Sequence, residues 1–108
     1  MRLVVRYMPD DPVFTILAVN DDYCRLFGVT RKQVAGGSVF SLIAESSRAD
    51  VLRKLRRVMR HRIPLMGHEV NHVAGGKMRI RWLDIPVIDS SGSGAVVEMI
   101  AVGEPLNE

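Results

Sequence analysis

The chain has 108 residues, of which 47% are hydrophobic and 25% charged, with a formal net charge of +3 at pH 7. This composition is typical of one globular domain that buries roughly two thirds of its surface, and it excludes a disordered chain. The apolar runs are too short for a transmembrane helix, no secretory signal is visible, and Cys24 is the single cysteine. We therefore expect a soluble cytoplasmic domain without an internal disulfide.

Two short strands open the chain. Residues 3–7 and 14–19 are apolar and rich in β-branched side chains, which favours extended structure. A turn signal containing Pro9 and Pro12 separates them. The sequence therefore predicts a β-hairpin.

Short helices follow the hairpin. Asn20 supplies a side-chain oxygen that can accept hydrogen bonds from the free N–H groups of a helix start, and Gly28 is the residue expected at the end of that helix. Thr30 and Gln33 have the spacing of a capping box and predict a second short helix. The apolar stretch 38–44 predicts one or two further helical turns.

The strongest helical signal lies between Ser47 and Pro64. Ser47 resembles a helix start, and Pro64 marks the end because the residue before a proline avoids helical geometry. Apolar residues recur at helical spacing along this segment and form one stripe, which consists of Val51, Leu52, Leu55, Val58 and Met59. Arginines and Lys54 are placed on the opposite side. The helix is therefore predicted to lie with its apolar stripe on another element.

The positive charge is concentrated in this helix. Residues 46–62 contain seven basic residues and one acid, a balance of +6, whereas the remainder has eight basic and eleven acidic residues, a balance of −3. A basic helix of this kind is more often a solvated face than a nucleic-acid footprint. A nucleic-acid or acidic-surface binding module that uses the basic helix 48–62 is nevertheless kept as the alternative function.

The last third of the chain predicts three strands in a meander. Residues 69–74 and 78–88 flank the Gly75-Gly76 pair, which predicts a tight hairpin turn. Pro86 indicates a bend or an edge position in the second of these strands. The alternation of that strand predicts a buried face that carries Met78, Ile80 and Trp82.

Residues 95–102 predict the final strand, after a turn rich in Ser and Gly. The resulting order is two strands, short helices, one long helix and three strands, which is the α+β class. We expect a single domain over residues 1–103 and a polar C-terminal linker stub over residues 104–108.

No catalytic constellation is evident in the sequence. The glycine pairs lack the lysine and the serine or threonine that a phosphate-binding loop requires. His68 and His72 share one face of a predicted strand, but a third ligand is missing near them, so no metal site is predicted. We therefore expect a protein that is not an enzyme.

A collinear series of segments resembles a PAS domain and covers nearly the whole chain. The segments that carry the resemblance are residues 16–20, 23–28, 29–36, the Gly75-Gly76 hairpin, residues 85–89 and residues 95–103. The resemblance implies a five-stranded antiparallel sheet with strand order 2-1-5-4-3. The short helices and the long helix are then expected to pack on one face of that sheet.

The resemblance also implies a non-catalytic sensory or regulatory module of bacterial-type signal transduction. The expected contexts are histidine kinases of two-component systems, diguanylate cyclases and transcription regulators. A homodimer, a fused or partner output domain and a small-molecule ligand are the expected partners, whereas nucleic acid is not expected. No amphipathic helix precedes Leu3, so one sheet face is expected to be exposed, and a dimer would cover it.

Two cofactor classes are not expected from the resemblance. Light-sensing relatives carry a flavin-reactive cysteine in the short helix after the glycine, whereas residues 37–43 here contain no cysteine. Haem-binding relatives place a histidine ligand early in the long helix, where residues 47–55 have none, and His61 comes too late. Flavin photochemistry through a cysteine adduct and a histidine-ligated haem are thus both disfavoured, and the cofactor remains unknown.

The space between the long helix and the sheet is the predicted functional site. It either binds a small organic ligand or is simply filled, in which case the domain works through protein–protein contact. Apolar residues at these spacings are core by default, which favours the filled space slightly. The candidate pocket residues are Leu55, Met59, Val70, His72, Trp82 and Met99.

Overall fold

The computed structural model describes residues 1–106 of the chain, which form five strands, three α-helices and a 3-10 turn. In chain order the elements are β1 (Leu3–Tyr7), β2 (Ile16–Val19), α1 (Asp21–Phe27), α2 (Arg31–Val34), the 3-10 turn (Val39–Leu42), α3 (Glu45–His61), β3 (Leu65–Val73), β4 (Gly76–Ile88) and β5 (Val96–Pro105). No helix within the described residues is both long enough and apolar enough to cross a lipid bilayer.

The five strands form one antiparallel sheet in the order β2-β1-β5-β4-β3. The first and last strands of the chain are thus neighbours near the middle of the sheet. Helix α3 packs on β3 and β4, and α1 packs on β1 and β3. The α+β class and the strand order implied by the resemblance are confirmed.

Side-chain caps fix the short helices as the sequence predicts. Asn20 Oδ1 accepts a hydrogen bond from the Tyr23 N–H at 3.1 Å, and Gly28 ends α1 in the left-handed conformation with φ 67°. The Thr30 hydroxyl and the Gln33 side chain form a complete capping box at the start of α2.

Helix α3 begins two residues before the predicted start. Its N-cap is Ala44, which offers no side-chain cap, and Ser47 lies inside the first turn. The Ser47 hydroxyl instead accepts a hydrogen bond from the Val70 N–H at 3.0 Å, which joins α3 to β3. The assignment of Ser47 as the start is wrong because its hydroxyl serves a tertiary contact. The helix ends at His61, before Pro64, as predicted.

Strands β3 and β5 are longer than the sequence predicts. Strand β3 starts at Leu65 rather than residue 69, and β5 runs to Pro105, which pairs with Ile80. Residues 104 and 105, expected in the linker stub, therefore belong to β5, and residues 107–108 lie outside the described residues. Division into one domain and a linker stays a prediction.

Pro86 lies within β4 at a place where that strand has one neighbour. Strand β4 pairs with β5 through Pro86 and Met99, whereas its pairing with β3 ends at Asp84 and Leu65. A residue without an N–H is tolerated at such an edge position. The predicted edge position is thus observed without a break in the strand.

The core lies between α3 and the inner face of the sheet. Leu55 and Val58 of α3, Ile80 of β4 and Met99 of β5 are each no more than 1% exposed. Edge-to-face contacts join three aromatic rings at one end of this core, those of Tyr7, Phe14 and Phe40. The burial of these side chains holds α3 over the sheet.

Candidate ligand cavity beneath the long helix

A cavity of about 40 Å³ lies between α1, α3 and the inner face of the sheet. It has room for about three water-sized groups, since one such group needs roughly 10–15 Å³. Most of its lining is apolar or aromatic, with contributions from Val5, Phe27, Ile43, Val51, Leu55 and Ala101. The buried polar residues that line it are Glu69, Asn71 and Asp84.

Two of the six predicted pocket residues, Leu55 and Trp82, line this cavity. Met99 is fully buried in the adjoining core, and Met59 packs half-buried against that core. Neither methionine is among the lining residues. Whether this lining binds a ligand remains a prediction.

Val70 and His72 lie on the opposite face of β3 from the cavity. Glu69 pairs with the buried Ile80, and Asn71 is itself buried, so these two residues occupy the inner face. Successive side chains on a strand point to opposite faces, so Val70 and His72 point outward. The predicted register of β3 is wrong by one residue, because polar side chains occupy its buried positions.

A polar network connects α3 to the sheet beside the cavity. Tyr7 Oη donates a hydrogen bond to Asp84 Oδ1 at 2.6 Å, and Lys54 Nζ lies 2.8 Å from Asp84 Oδ2. Lys54 also donates to the Trp82 carbonyl at 3.4 Å. The Lys54 and Asp84 side chains are 14% and 7% exposed, so this ion pair is largely removed from water. Burial, assisted by the Asp84 carboxylate, raises the pKa of Tyr7 well above its ordinary value.

The Trp82 side chain extends this network toward the 3-10 turn. Trp82 Nε1 donates a hydrogen bond to Asn71 Oδ1 at 3.1 Å, and Asn71 Nδ2 donates to the Leu42 carbonyl at 3.4 Å. The indole ring lies so close to Gly103 that a Cβ there would be 2.6 Å from Trp82 Cε3. The absence of a side chain at Gly103 therefore makes room for the ring.

Glu69 is the polar residue that this network does not satisfy. The residue is 6% exposed, and its Oε2 is buried without a hydrogen-bond partner among the described residues. Burial raises the pKa of Glu69 to about 8, as does the nearby Asp84 carboxylate, while Lys54 opposes the shift. Glu69 is therefore mostly protonated at pH 7 and lines the cavity as an unpaired polar group.

Lys54 is a network residue whose buried position could have been predicted from helical spacing, although the helix prediction placed it on the opposite side. It follows Val51 by three positions and precedes Val58 by four, so it lies on the buried stripe of α3. Gly67 leaves space for its long side chain, since a Cβ there would lie 3.2 Å from Lys54 Cδ. The prediction that Lys54 lies on the solvated side is wrong. It followed the charge of the lysine, whereas the helical spacing places this residue on the buried stripe.

Several basic side chains of α3 have intramolecular partners. The ion pairs that involve this helix are Arg53–Asp50, Lys54–Asp84 and Arg56–Asp11. Arg48 donates to the Ile43 carbonyl at 3.0 Å. Among the seven lysines and arginines of residues 46–62, all within the described part of the chain, three lack such a partner, namely Arg57, Arg60 and Arg62. This leaves a smaller basic surface than the sequence count of +6 indicates.

Within the described part of the chain, no group of three or more His, Cys, Asp and Glu side chains is placed to hold a metal ion. His68 and His72 occupy outward positions on β3, opposite the side that lines the cavity.

Solved structures share this fold at low sequence identity. One of them concerns a flavin analogue and the mechanism of a light-oxygen-voltage domain. It has a TM-score of 0.83 at 18% identity, and the match covers 100% of this chain and 79% of that one. The PAS-B domain of Drosophila melanogaster Cycle with bound ethylene glycol has a TM-score of 0.83 at 9% identity, with coverages of 96% and 99%. The Cronobacter turicensis quorum-sensing receptor RpfR PAS domain in complex with BDSF has a TM-score of 0.78 at 12% identity, with coverages of 98% and 94%.

Sequence comparison identifies the family directly. No curated protein is similar enough in sequence to match the chain. A family model for the PAS fold nevertheless matches residues 4–105, almost the full length. The strand order and the helices on one sheet face agree with that match. The chain belongs to the PAS family, whose members are generally sensory modules.

Proposed function

We propose that this PAS domain is a non-catalytic sensor in a signalling protein and that the cavity beneath α3 is its ligand site. The observation that carries the proposal is the buried, unpaired Glu69 oxygen in a mainly apolar lining. Buried polar groups in folded proteins are normally hydrogen-bonded, and an unpaired one destabilises the fold. A ligand that pairs with Glu69 would explain why a carboxyl group is kept there.

The size of the cavity favours a ligand with few heavy atoms. Its volume of about 40 Å³ has room for about three water-sized groups. The Cycle PAS-B domain is described with ethylene glycol, a molecule of comparable size. The three-ring system of a flavin does not fit among the present side chains, and residues 37–43 provide no cysteine, so the proposal includes no flavin chemistry.

We propose that ligand occupancy is transmitted through β5 to the outer face of the sheet. Ala101 lines the cavity. Because successive side chains of a strand point to opposite faces, its neighbours Ile100 and Val102 lie on the outer face. Val102 pairs there with Val4 of β1 and Leu83 of β4, so half-buried apolar side chains of three strands adjoin.

A second copy of the chain, or an output domain, would cover this outer face. A homodimer, a cytoplasmic location and a kinase, cyclase or transcription-regulator context all belong to this proposal. Membership of the PAS family supports them.

A fragment titration followed by ¹⁵N–¹H NMR tests the ligand site. The panel contains alcohols, amines, amides and carboxylic acids of two to four heavy atoms. We expect at least one class to shift the amide resonances of Glu69, Asn71 and Ala101 saturably. Absence of saturable shifts for every class would contradict the proposal.

Two variants control for binding elsewhere on the surface. Ala101→Leu places added side-chain volume in the cavity and should abolish the shifts, with folding checked by circular dichroism. Ala18→Leu changes a β2 residue that pairs with the outward Arg6, and it should leave the shifts unchanged. Shifts that persist in Ala101→Leu would place the binding site outside the cavity.

A further inference from the structure

The carboxyl groups around the cavity outnumber the ammonium groups that face them. Glu69 and Asp84 supply two carboxyl groups, whereas Lys54 is the one ammonium group that faces them among residues 1–106. Lys54 Nζ is committed to Asp84 at 2.8 Å and to the Trp82 carbonyl at 3.4 Å. No ion pair within the described residues joins Lys54 to Glu69. One carboxyl group therefore lacks a cationic partner.

The second carboxyl group is already satisfied. Asp84 accepts a hydrogen bond from Tyr7 on one oxygen and contacts Lys54 through the other. The carboxyl group left for a ligand is thus that of Glu69, which lines the cavity and whose Oε2 is buried and unpaired. An anionic ligand would face both carboxyl groups and is disfavoured.

The rest of the lining suits a small organic cation. The rings of Tyr23 and Phe27 stack with centroids 4.2 Å apart, and both residues line the cavity together with Trp82. Aromatic faces attract ammonium groups, and they do so more strongly where water is excluded. Aliphatic residues such as Leu55 provide contacts for an alkyl group.

Building on the proposed function, we propose that the cavity recognises a small primary alkylammonium ion, of about three heavy atoms, whose ammonium group pairs with the Glu69 carboxylate. Once Glu69 is ionised, the ion supplies the positive charge that Lys54 cannot provide to both carboxyl groups. Its alkyl part occupies the apolar portion of the cavity.

Binding is coupled to the release of one proton. Glu69 has a pKa of about 8, so it is mostly protonated at pH 6.5 and must ionise to pair with the cation. The other titratable groups that face it are Asp84, Lys54, Tyr7 and Tyr23. Burial raises the pKa of both tyrosines, which therefore stay neutral near pH 7. The affinity for an alkylammonium ion should consequently rise with pH until Glu69 is ionised.

Titration of the whole chain with ethylammonium chloride, at an ionic strength held constant with NaCl, tests this inference. A ligand of three heavy atoms binds with about millimolar affinity at best, a range suited to NMR. We expect saturable shifts at Glu69, Asn71 and Ala101. The dissociation constant should fall about tenfold per pH unit between pH 6 and 7 and level off near pH 8.

Glu69→Gln keeps the shape of the protonated side chain and removes its ionisation. We expect it to weaken ethylammonium binding at least tenfold at pH 8 and to abolish the pH dependence. Glu45→Gln, an exposed substitution on α3, should behave as the wild type. Equal ethylammonium binding by Glu69→Gln and the wild type would overturn the inference.

Ethanol provides the matched neutral ligand because it also has three heavy atoms. The wild type should prefer ethylammonium at pH 8. Ethanol binding as tight as ethylammonium binding would overturn the alkylammonium assignment and leave the sensory function standing. Failure of both ligands, together with the rest of the fragment panel, would overturn the proposed function as well.

Discussion

At the scale of single residues, Glu69 makes the stability of the domain depend on pH. Its pKa is raised from 4.5 to about 8, so the folded domain holds a proton that the unfolded chain releases above about pH 4.5. Stability falls with rising pH wherever the folded state binds more protons. Glu69 therefore lowers the free energy of unfolding progressively between about pH 4.5 and pH 8, with no further loss above that range.

Glu69→Gln should remove this dependence and be more stable than the wild type at pH 7.5. Urea denaturation between pH 5 and 7.5 measures how the unfolding free energy of each protein changes with pH. The decrease per pH unit should be smaller in Glu69→Gln than in the wild type by about 1.4 kcal/mol. Glu45→Gln serves as the exposed control. An unchanged slope in Glu69→Gln would show that Glu69 is ionised in the folded domain.

The Lys54–Asp84 pair should stabilise the fold mainly by preventing an unpaired buried charge. Lys54→Met should lower the free energy of unfolding by roughly 3–5 kcal/mol, because Asp84 is left without its cation. The double variant Lys54→Met/Asp84→Asn should recover part of that loss. A double-mutant cycle measures the coupling, and a coupling near zero would contradict the contact.

Gly103 should be required by the indole ring of Trp82. Gly103→Ala brings a Cβ within 2.6 Å of that ring and should destabilise the domain by roughly 1–3 kcal/mol. Gly75→Ala is the matched control, since nothing lies within 4 Å of a Cβ there. Equal unfolding midpoints for the two variants would be evidence against the close packing.

Burial of the polar residues of β3 is the part of the site that sequence pattern could not predict. The prediction placed Val70 inside because an apolar side chain is the usual buried one, and it placed His72 on the same face of the strand. The pairing register of β3 with β4 determines which side chains of β3 face the core, and it places Glu69 and Asn71 inside. Because this register depends on contacts with another strand, it cannot be predicted from the local sequence of β3 alone.

At the scale of elements, α3 acts as the lid of the cavity and is held by its apolar stripe. Val51, Leu55 and Val58 are buried, whereas Leu52 and Met59 lie on the flank of the stripe. Helical spacing predicted this face and its proline-marked end. The start was misplaced because Ser47 bonds to β3 rather than capping the helix.

Truncations along the stripe should follow burial. Leu55→Ala should cost roughly 2–5 kcal/mol of unfolding free energy, because Leu55 is 1% exposed. Met59→Ala should cost clearly less, since Met59 is only half-buried. Urea denaturation measures both, and a larger loss for Met59→Ala would contradict the observed orientation of α3.

At the scale of the whole molecule, strand order was the most predictable feature and the outer sheet face the least. The resemblance of the collinear segments to a PAS domain implies the order 2-1-5-4-3, which the structure shows. Apolar side chains on both faces of the sheet obscure which face is the core. Ala101 is buried, whereas the next residue, Val102, is half-buried on the outer face.

The outer face should support self-association. The wild type should show a monomer–dimer equilibrium by sedimentation, and Leu83→Glu should shift it to monomer because a charge enters the apolar surface. Val13→Glu changes an exposed residue of the β1–β2 connection and is the control. A wild type that stays monomeric at millimolar concentration would contradict this role for the outer face.

Methyl NMR with a saturating cavity ligand shows whether occupancy of the cavity is transmitted to the outer face of the sheet. We expect ligand-dependent shifts of the Leu83 and Val102 methyl resonances, on the far side of the sheet from the cavity, and their loss in Ala101→Leu. Binding that shifts the cavity resonances and leaves both methyl groups unchanged would contradict this transmission.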